Sequence, residues 1–341
     1  MKKIIIFTGL FIFGLGLNPV FAQGCDDVGG EEGINFFGFF QPQYDLKFNG
    51  PDVKEDNTFL FKRARIGLTG SIPYDFSYYV VLENSAFVSG TGNPYLLDAF
   101  ISYKRYKWFT VSVGSFKQPF GQEVNTSCSG LHTINRAFVS DQIVAPQRDM
   151  GIMILGGDSE SKLNYAFAVM NGRGLGVADN NSAKDYIGRL TYKPLDFLRI
   201  GGSFRYGFPN TDLKDDYRMS YAGEVQIDYA NFLLQGEYIY DEGDYNRAAG
   251  GGCGSDPISL GEKRHGAYVQ ALYKTSLNIQ PVFKWEYFDA GMDDLHFSVL
   301  TFGVNYFFND WTRLQLNYNY RAEKPVEIYN DDISLQLQVK F

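Results

Sequence analysis

Sixteen stretches of this chain alternate apolar and polar residues with period two, and the connections between them alternate between tight turns and longer loops. Period-two alternation is the signature of a strand whose two faces meet different environments. The stretches are 34–48, 57–71, 74–86, 94–104, 108–117, 150–158, 161–171, 184–193, 197–207, 217–229, 232–241, 262–274, 277–289, 295–307, 311–321 and 332–341. Ile72-Pro73, Arg105-Tyr106-Lys107, Pro194-Leu195-Asp196, Ala230-Asn231 and Asn309-Asp310 are the tight turns, and 118–149, 172–183, 242–261 and 322–331 are among the loops. An even strand number with short turns at one end and long loops at the other is the organisation of a transmembrane β-barrel, both termini lying at the short-turn end. A sandwich or propeller supplies no cause for such alternation. The predicted fold is all-β, a 16-stranded antiparallel transmembrane β-barrel over 34–341.

The two faces differ sharply. Residues 311–321 set Arg313, Gln315, Asn317 and Asn319 against Leu314, Leu316, Tyr318 and Tyr320, and the last strand alternates in the same way. Ignoring two residues at each strand end, fourteen charged residues fall on the polar face and only Lys62 on the apolar one. A charge facing hydrocarbon near the bilayer midplane costs about 2–4 kcal/mol, so lipid outside and water inside is the simplest cause. A soluble barrel would invert that sense, and alternation alone does not say which face is inner. Pro42 and Pro281 lie inside predicted strands of a barrel with no free edge, which calls for a bulge or a position above the membrane.

Composition agrees. Aromatic residues make up 17% of the chain, with 24 Tyr and 30 Phe against 3 Trp, as suits strands meeting a membrane interface. A formal charge of −8 argues against nucleic acid as a partner. Residues 1–22 read as a signal peptide: basic Met1-Lys2-Lys3, an apolar run from Ile4 to Leu17, and Val20-Phe21-Ala22 before cleavage. Lipoprotein-type processing before Cys25 is the rival, and 23–33 forms a short N-terminal segment ahead of the barrel. The expected location is the outer membrane of a diderm bacterium, in contact with outer-membrane lipid and lipopolysaccharide.

Phe61-Lys62-Arg63-Ala64-Arg65-Ile66-Gly67-Leu68-Thr69-Gly70, Leu97-Asp98-Ala99-Phe100-Ile101-Ser102-Tyr103-Lys104 and Val113-Gly114-Ser115-Phe116-Lys117-Gln118-Pro119-Phe120-Gly121 lie in order, followed by Arg148-Asp149-Met150-Gly151 and Ala168-Val169-Met170-Asn171-Gly172. Together these motifs resemble the phosphate-selective porin O and P family over roughly 34–175. The resemblance implies a homotrimeric, sixteen-stranded porin, an anion channel for ion transport with phosphate as its narrowest substrate. It also implies an inward-folded third extracellular loop that makes the constriction. The third long connection here is 118–149, the longest, and its charged residues are Glu123, Arg136, Asp141, Arg148 and Asp149. Arg136 and Arg148 are the candidates for facing the path, with Asp141 and Asp149 beside them. A lid on the outer surface, or an Arg148–Asp149 ion pair at the strand start, is the alternative. Three acids against two arginines depart from the basic loop that phosphate selectivity implies.

Candidate pore-lining positions away from strand ends are basic at Arg63, Arg65, Arg189, Arg199, Arg205, Arg264, Lys284 and Arg313, and acidic at Asp45, Glu83, Asp98, Glu224, Glu237 and Glu286. The balance leans slightly basic and predicts weak preference for small anions such as phosphate or chloride. Arg189, Arg199 and Arg205 precede Glu224 and Glu237 on successive strands, which predicts a basic wall beside an acidic one and a transverse field.

Terminal Phe341 resembles the aromatic assembly signal presented to the barrel-assembly machinery. Cys128 and Cys253 are candidates for a disulfide, with Cys25 as a rival partner. The three histidines share no metal-ligand spacing, so neither a metal nor another cofactor is expected. Asp179-Asn180-Asn181 and Asp212 to Asp216 are acidic loop segments that suit divalent ions or plain solvation. Ser127, Ser129 and His132 share a loop without a nucleophile elbow, so no enzyme is expected. Two alternatives to a passive channel stay open: a barrel serving as adhesin or envelope-complex subunit with little conductance, and a barrel hydrolase.

Overall fold

The computed structural model describes residues 33–50, 54–209, 216–245, 258–292 and 295–341. The strands are β1 (Asn35–Lys47), β2 (Asp56–Ile72), β3 (Phe76–Glu83), β4 (Tyr95–Tyr106), β5 (Phe109–Lys117), β6 (Arg148–Gly156), β7 (Leu163–Met170) and β8 (Asp185–Leu195). They continue as β9 (Leu198–Gly207), β10 (Arg218–Tyr229), β11 (Phe232–Gly243), β12 (Lys263–Tyr273), β13 (Ile279–Asp289), β14 (His296–Phe307), β15 (Thr312–Lys324) and β16 (Asp332–Lys340). Three short helices accompany them: α1 (Ser85–Val88), α2 (Gln122–Asn125) and α3 (Phe138–Ile143). Each strand pairs antiparallel with its sequence neighbours and β1 closes on β16, so the sheet is a closed barrel of sixteen strands. Every predicted strand is present, with ends displaced by no more than three residues.

Exposure settles which face is inner. On β15, Leu316, Tyr318 and Tyr320 are 45%, 36% and 43% exposed, whereas Gln315, Asn317 and Asn319 are 1%, 1% and 7% exposed. The apolar face is outside, the sense a lipid environment requires. Aromatic side chains gather at the short-turn end, where Tyr106, Trp108 and Phe109 form one contact chain, Tyr306 packs on Phe308, and Lys340 lies 6.0 Å from the Trp311 ring centroid. Rings with a polar edge suit that interface. Among the described residues no helix is long and apolar enough to cross a membrane.

Both prolines have a local explanation. The β1–β2 register shifts between Gln41 and Pro42, whose partners are Arg63 and Phe61, so Lys62 is the extra residue of a bulge. That bulge also accounts for the one charge that broke the alternation. Pro281 pairs with Val304 on β14 but lies beyond the β12 ladder, which ends at Leu272 and Val282, so no neighbour on that side needs its missing N–H.

The seam is tied by the last residue: Gly38 N donates to Phe341 O (2.9 Å) and Phe341 N to Gly38 O (3.0 Å). A Cβ on Gly38 would stand 2.4 Å from Arg65 O and 2.7 Å from the Phe341 ring. Gly38→Val is therefore expected to hinder barrel closure. The folded band on unheated gels should drop severalfold relative to the wild-type chain; equal yield would show that the seam tolerates a side chain there.

Candidate functional site

The longest connection, 118–147, leaves β5 and returns at β6. Only Gly130 in it is exposed. β6 begins at Arg148, so Arg148 and Asp149 belong to the wall and not to the loop as expected from sequence; ladder bonds to β5 pair Arg148 with Lys117 and Asp149 with Phe116. Arg148 Nε bonds Asp98 Oδ1 at 2.8 Å, and Asp149 accepts from the backbone N–H of Met150 (2.7 Å) and Gly172. The anticipated pairing of Arg148 with Asp149 is thus replaced by one to β4.

Loop attachments fan around the wall from β9 through β16 to β2. Gly121, with φ of 74°, donates its N–H to Ser203 Oγ at 3.0 Å, and the N–H groups of Gln122 and Glu123 reach the two Glu237 oxygens at 2.9 and 3.3 Å. A side chain at Gly121 would meet Glu237 Oε1 at 2.2 Å, and its left-handed backbone favours glycine. Glu123 accepts from Ala137 N, and Glu286 from Phe138 N. Lys117 donates to the carbonyls of Val124 (3.0 Å) and Thr126 (3.1 Å), Arg205 to Ala145 O (3.1 Å), Arg218 to Ile143 O and Ala145 O, and Arg136 to Glu123 O and Thr126 O. Farther round, the carbonyls of Cys128, Ser129, His132, Ile134 and Asn135 accept from Gln41, Arg313, Asn305, Arg63 and Lys284 respectively, while Ile134 N donates to Asn317 Oδ1 at 2.7 Å. Wall carboxylates therefore take loop N–H groups and wall cations take loop carbonyls, satisfying backbone that burial would otherwise penalise by about 1–3 kcal/mol per group.

An apolar cluster backs these bonds. Phe120, Val124, Ala137, Val139, Ile143 and Val144 of the connection pack with Phe100, Phe116, Met153, Ala166, Ala168, Met170, Ile187, Ile239, Tyr268 and Phe288 of the strands. The sequence reading had no second apolar layer. Its strand members share the inner face with charges and break the polar alternation too sparsely to stand out.

Most of the sequence-selected wall charges meet a partner. Arg65 bonds Glu83 (2.7 Å), Arg189 bonds Glu224 (2.6 Å), Lys284 bonds Glu286 (2.9 Å), and Arg205 pairs with Asp185. Arg264 and Arg218 converge on Asp241. Asp45 accepts from Gln43 and Ser334. Between β8–β9 and β10–β11, strands two apart bring Arg189 against Glu224, while Arg205 turns to Asp185 on β8. Among the described residues Arg136 and Arg313 lack a carboxylate within ion-pair distance, and Nε of each has no hydrogen-bond partner. Arg199 is half-buried on β9. Lys117, Asp185, Arg218 and Asp241 were missed because they lie near strand ends; for Asp185, Arg218 and Asp241 the phase shared with the inner-face residues of the same strand was the available signal, whereas Lys117 is in phase with the exposed Val113.

Desolvation, with Arg313 and Lys274 nearby, pushes the His132 imidazole down to about 3 and keeps it neutral. Burial pushes Glu123 up, Lys284 opposing and Glu286 reinforcing. Cys128 is buried and its Sγ accepts from Arg65 (3.2 Å) and Arg136 (3.4 Å); Cys25 and Cys253 lie outside the described residues, and so does the disulfide expectation. Of the acidic loop segments, Asp179 bonds Lys184 at 2.6 Å, and 212–215 lie outside the described residues. Among the described residues no group of three His, Cys, Asp or Glu side chains is placed to hold a metal ion.

A closed sixteen-stranded barrel with an apolar outer face and a charged inner one is a porin-type barrel of the outer membrane. Solved structures share it: an anion-selective porin from Comamonas acidovorans (TM-score 0.71, 12% identity, 91% of this chain and 100% of that one) and Salmonella typhi OmpF in complex with daunomycin (TM-score 0.69, 12% identity, 95% and 100%). In-vitro folded OmpT of Vibrio cholerae, in its trimer form, superposes with a TM-score of 0.63 at 12% identity over 91% of this chain and 99% of that one. The sequence profile of phosphate-selective porin O and P matches residues 39–251, and the chain belongs to that family. It is 26% identical over 222 residues to Porin O of Pseudomonas aeruginosa, covering 62% of this chain and 49% of that protein, so it spans about half the length of that relative. The family and the fold speak for a channel rather than the hydrolase considered from Ser127, Ser129 and His132.

Proposed function

We propose that this barrel is a water-filled channel for passive diffusion of small hydrophilic solutes, weakly anion-preferring, with segment 118–147 as its constriction. The observation that carries the reading is the state of the inner charges. Glu237, Glu123 and Glu286 spend their oxygens on loop N–H groups, while Arg136 and Arg313 lack a carboxylate and keep an unpartnered Nε. Charge at a narrow point sets selectivity more than the total does. Arg63, Arg65, Arg189, Arg199, Arg205, Arg264, Lys284, Glu83, Asp98 and Glu224 line the same wall in this proposal, with Asp141 on the loop and Arg148 and Asp149 where β6 begins. Phosphate selectivity is the narrow version, supported by the family's description and by the anion-selective relative.

The trimer form of OmpT supports assembly as a homotrimer, Phe341 is the proposed signal to the barrel-assembly machinery, and residues 1–22, outside the described ones, are the proposed export signal. Planar-bilayer recording in a KCl gradient is expected to give a reversal potential on the anion side. Cation preference would sink the proposal. The apolar packing of the loop favours one second reading, a barrel subunit or adhesin with little conductance, and negligible current from folded protein would select it.

A further inference from the structure

On the long-loop side of 118–147, between its residues 133–138 and the inner face of β13–β15, lies a cavity of about 110 Å³. Its lining combines three cations, Arg136, Lys284 and Arg321, with the acid Glu286 and the apolar Phe138 and Val299. The ion pair Lys284–Glu286 (2.9 Å) is internally neutral, and Arg321 is held to Asp332 at 2.6 Å. Arg136 is different: it is 4% exposed, its partners are carbonyls and a thiol, and its Nε has no hydrogen-bond partner. Arg321 Nη1 also has none. One N–H left over on each guanidinium calls for an acceptor, and the two oxygens of a planar carboxylate offer one to each.

We propose that this cavity is a binding site for short-chain monocarboxylates, the carboxylate lying on Arg136 and Arg321 and the alkyl chain on Phe138 and Val299. The inference rests on the channel reading above and names a solute class for it. Size agrees: the space exceeds that of a single water several-fold and suits a small acid. Phosphate suits it less, because its additional oxygens would face Phe138 and Val299 unpaired and its second charge would meet Glu286.

Isothermal titration of the full-length refolded protein in detergent with sodium butyrate, butyramide and sodium phosphate tests this. Butyrate is expected to bind saturably, butyramide not at all and phosphate at least tenfold more weakly. Val299→Phe, which fills the apolar end, and Arg321→Gln, which removes the half-exposed cation, should each weaken butyrate at least tenfold. Absence of butyrate binding, phosphate binding as tightly as butyrate, or unchanged affinity in either variant overturns the site. The reversal potential of the same preparation separates the two claims. An anion-side potential without butyrate binding leaves the channel reading standing and rejects the site; a cation-side potential rejects the channel reading and the inference resting on it.

Discussion

Asp241→Ala should free the C-terminal half of segment 118–147 while leaving the barrel closed. Asp241 on β11 is fully buried, bonds Arg218 Nε at 2.9 Å and Ser220, and pairs with Arg264; Arg218 in turn donates to the carbonyls of Ile143 and Ala145. Removing it leaves two guanidiniums at 1% exposure without this carboxylate, and breaking a buried pair in that way costs about 3–5 kcal/mol. The sheet ladder does not pass through the side chain, so the cost falls on the loop. Trypsin should cut at Arg136 in the variant and not in the wild type, with the folded gel band retained in both. Single-channel current should become larger and noisier. Asp241→Asn keeps one acceptor and should fall between. Protection equal to wild type would show that the loop is held elsewhere.

Glu237→Ala is the second change with a large expected effect, and it acts at the other end of the loop. Two buried N–H groups, of Gln122 and Glu123, lose their acceptors, at about 1–3 kcal/mol each, and the hydroxyl of Ser140 loses a weaker one at 3.4 Å. α2 should therefore become protease-sensitive while the folded gel band is retained. Protection of α2 equal to wild type would show that this end of the loop is held elsewhere.

β11 carries both anchors, Glu237 and Asp241, two positions either side of Ile239 in the apolar cluster. Of these, Glu237 was legible as an inner-face acid, because its phase matches the other polar positions of 232–241. Asp241 has the same phase but closes the predicted strand, where end charges carry less weight than interior ones. Pro42 and Lys62 show the converse: each broke a rule in the sequence, and one bulge between β1 and β2 explains both. Exceptions to a strict pattern marked a real irregularity.

Period-two alternation specifies strand number, strand ends and which residues share a face, because each side chain responds only to the environment its own face meets. Turn lengths then specify antiparallel order. Both are local properties, and both were readable along the chain. The partners of the inner charges are not local. Arg189 meets Glu224 across an intervening strand, and Arg313 meets Ser129 from 184 residues away. Closure of the barrel and the path of 118–147 set those distances, so charges that look like free pore lining along the chain become, in three dimensions, the sockets that hold the loop.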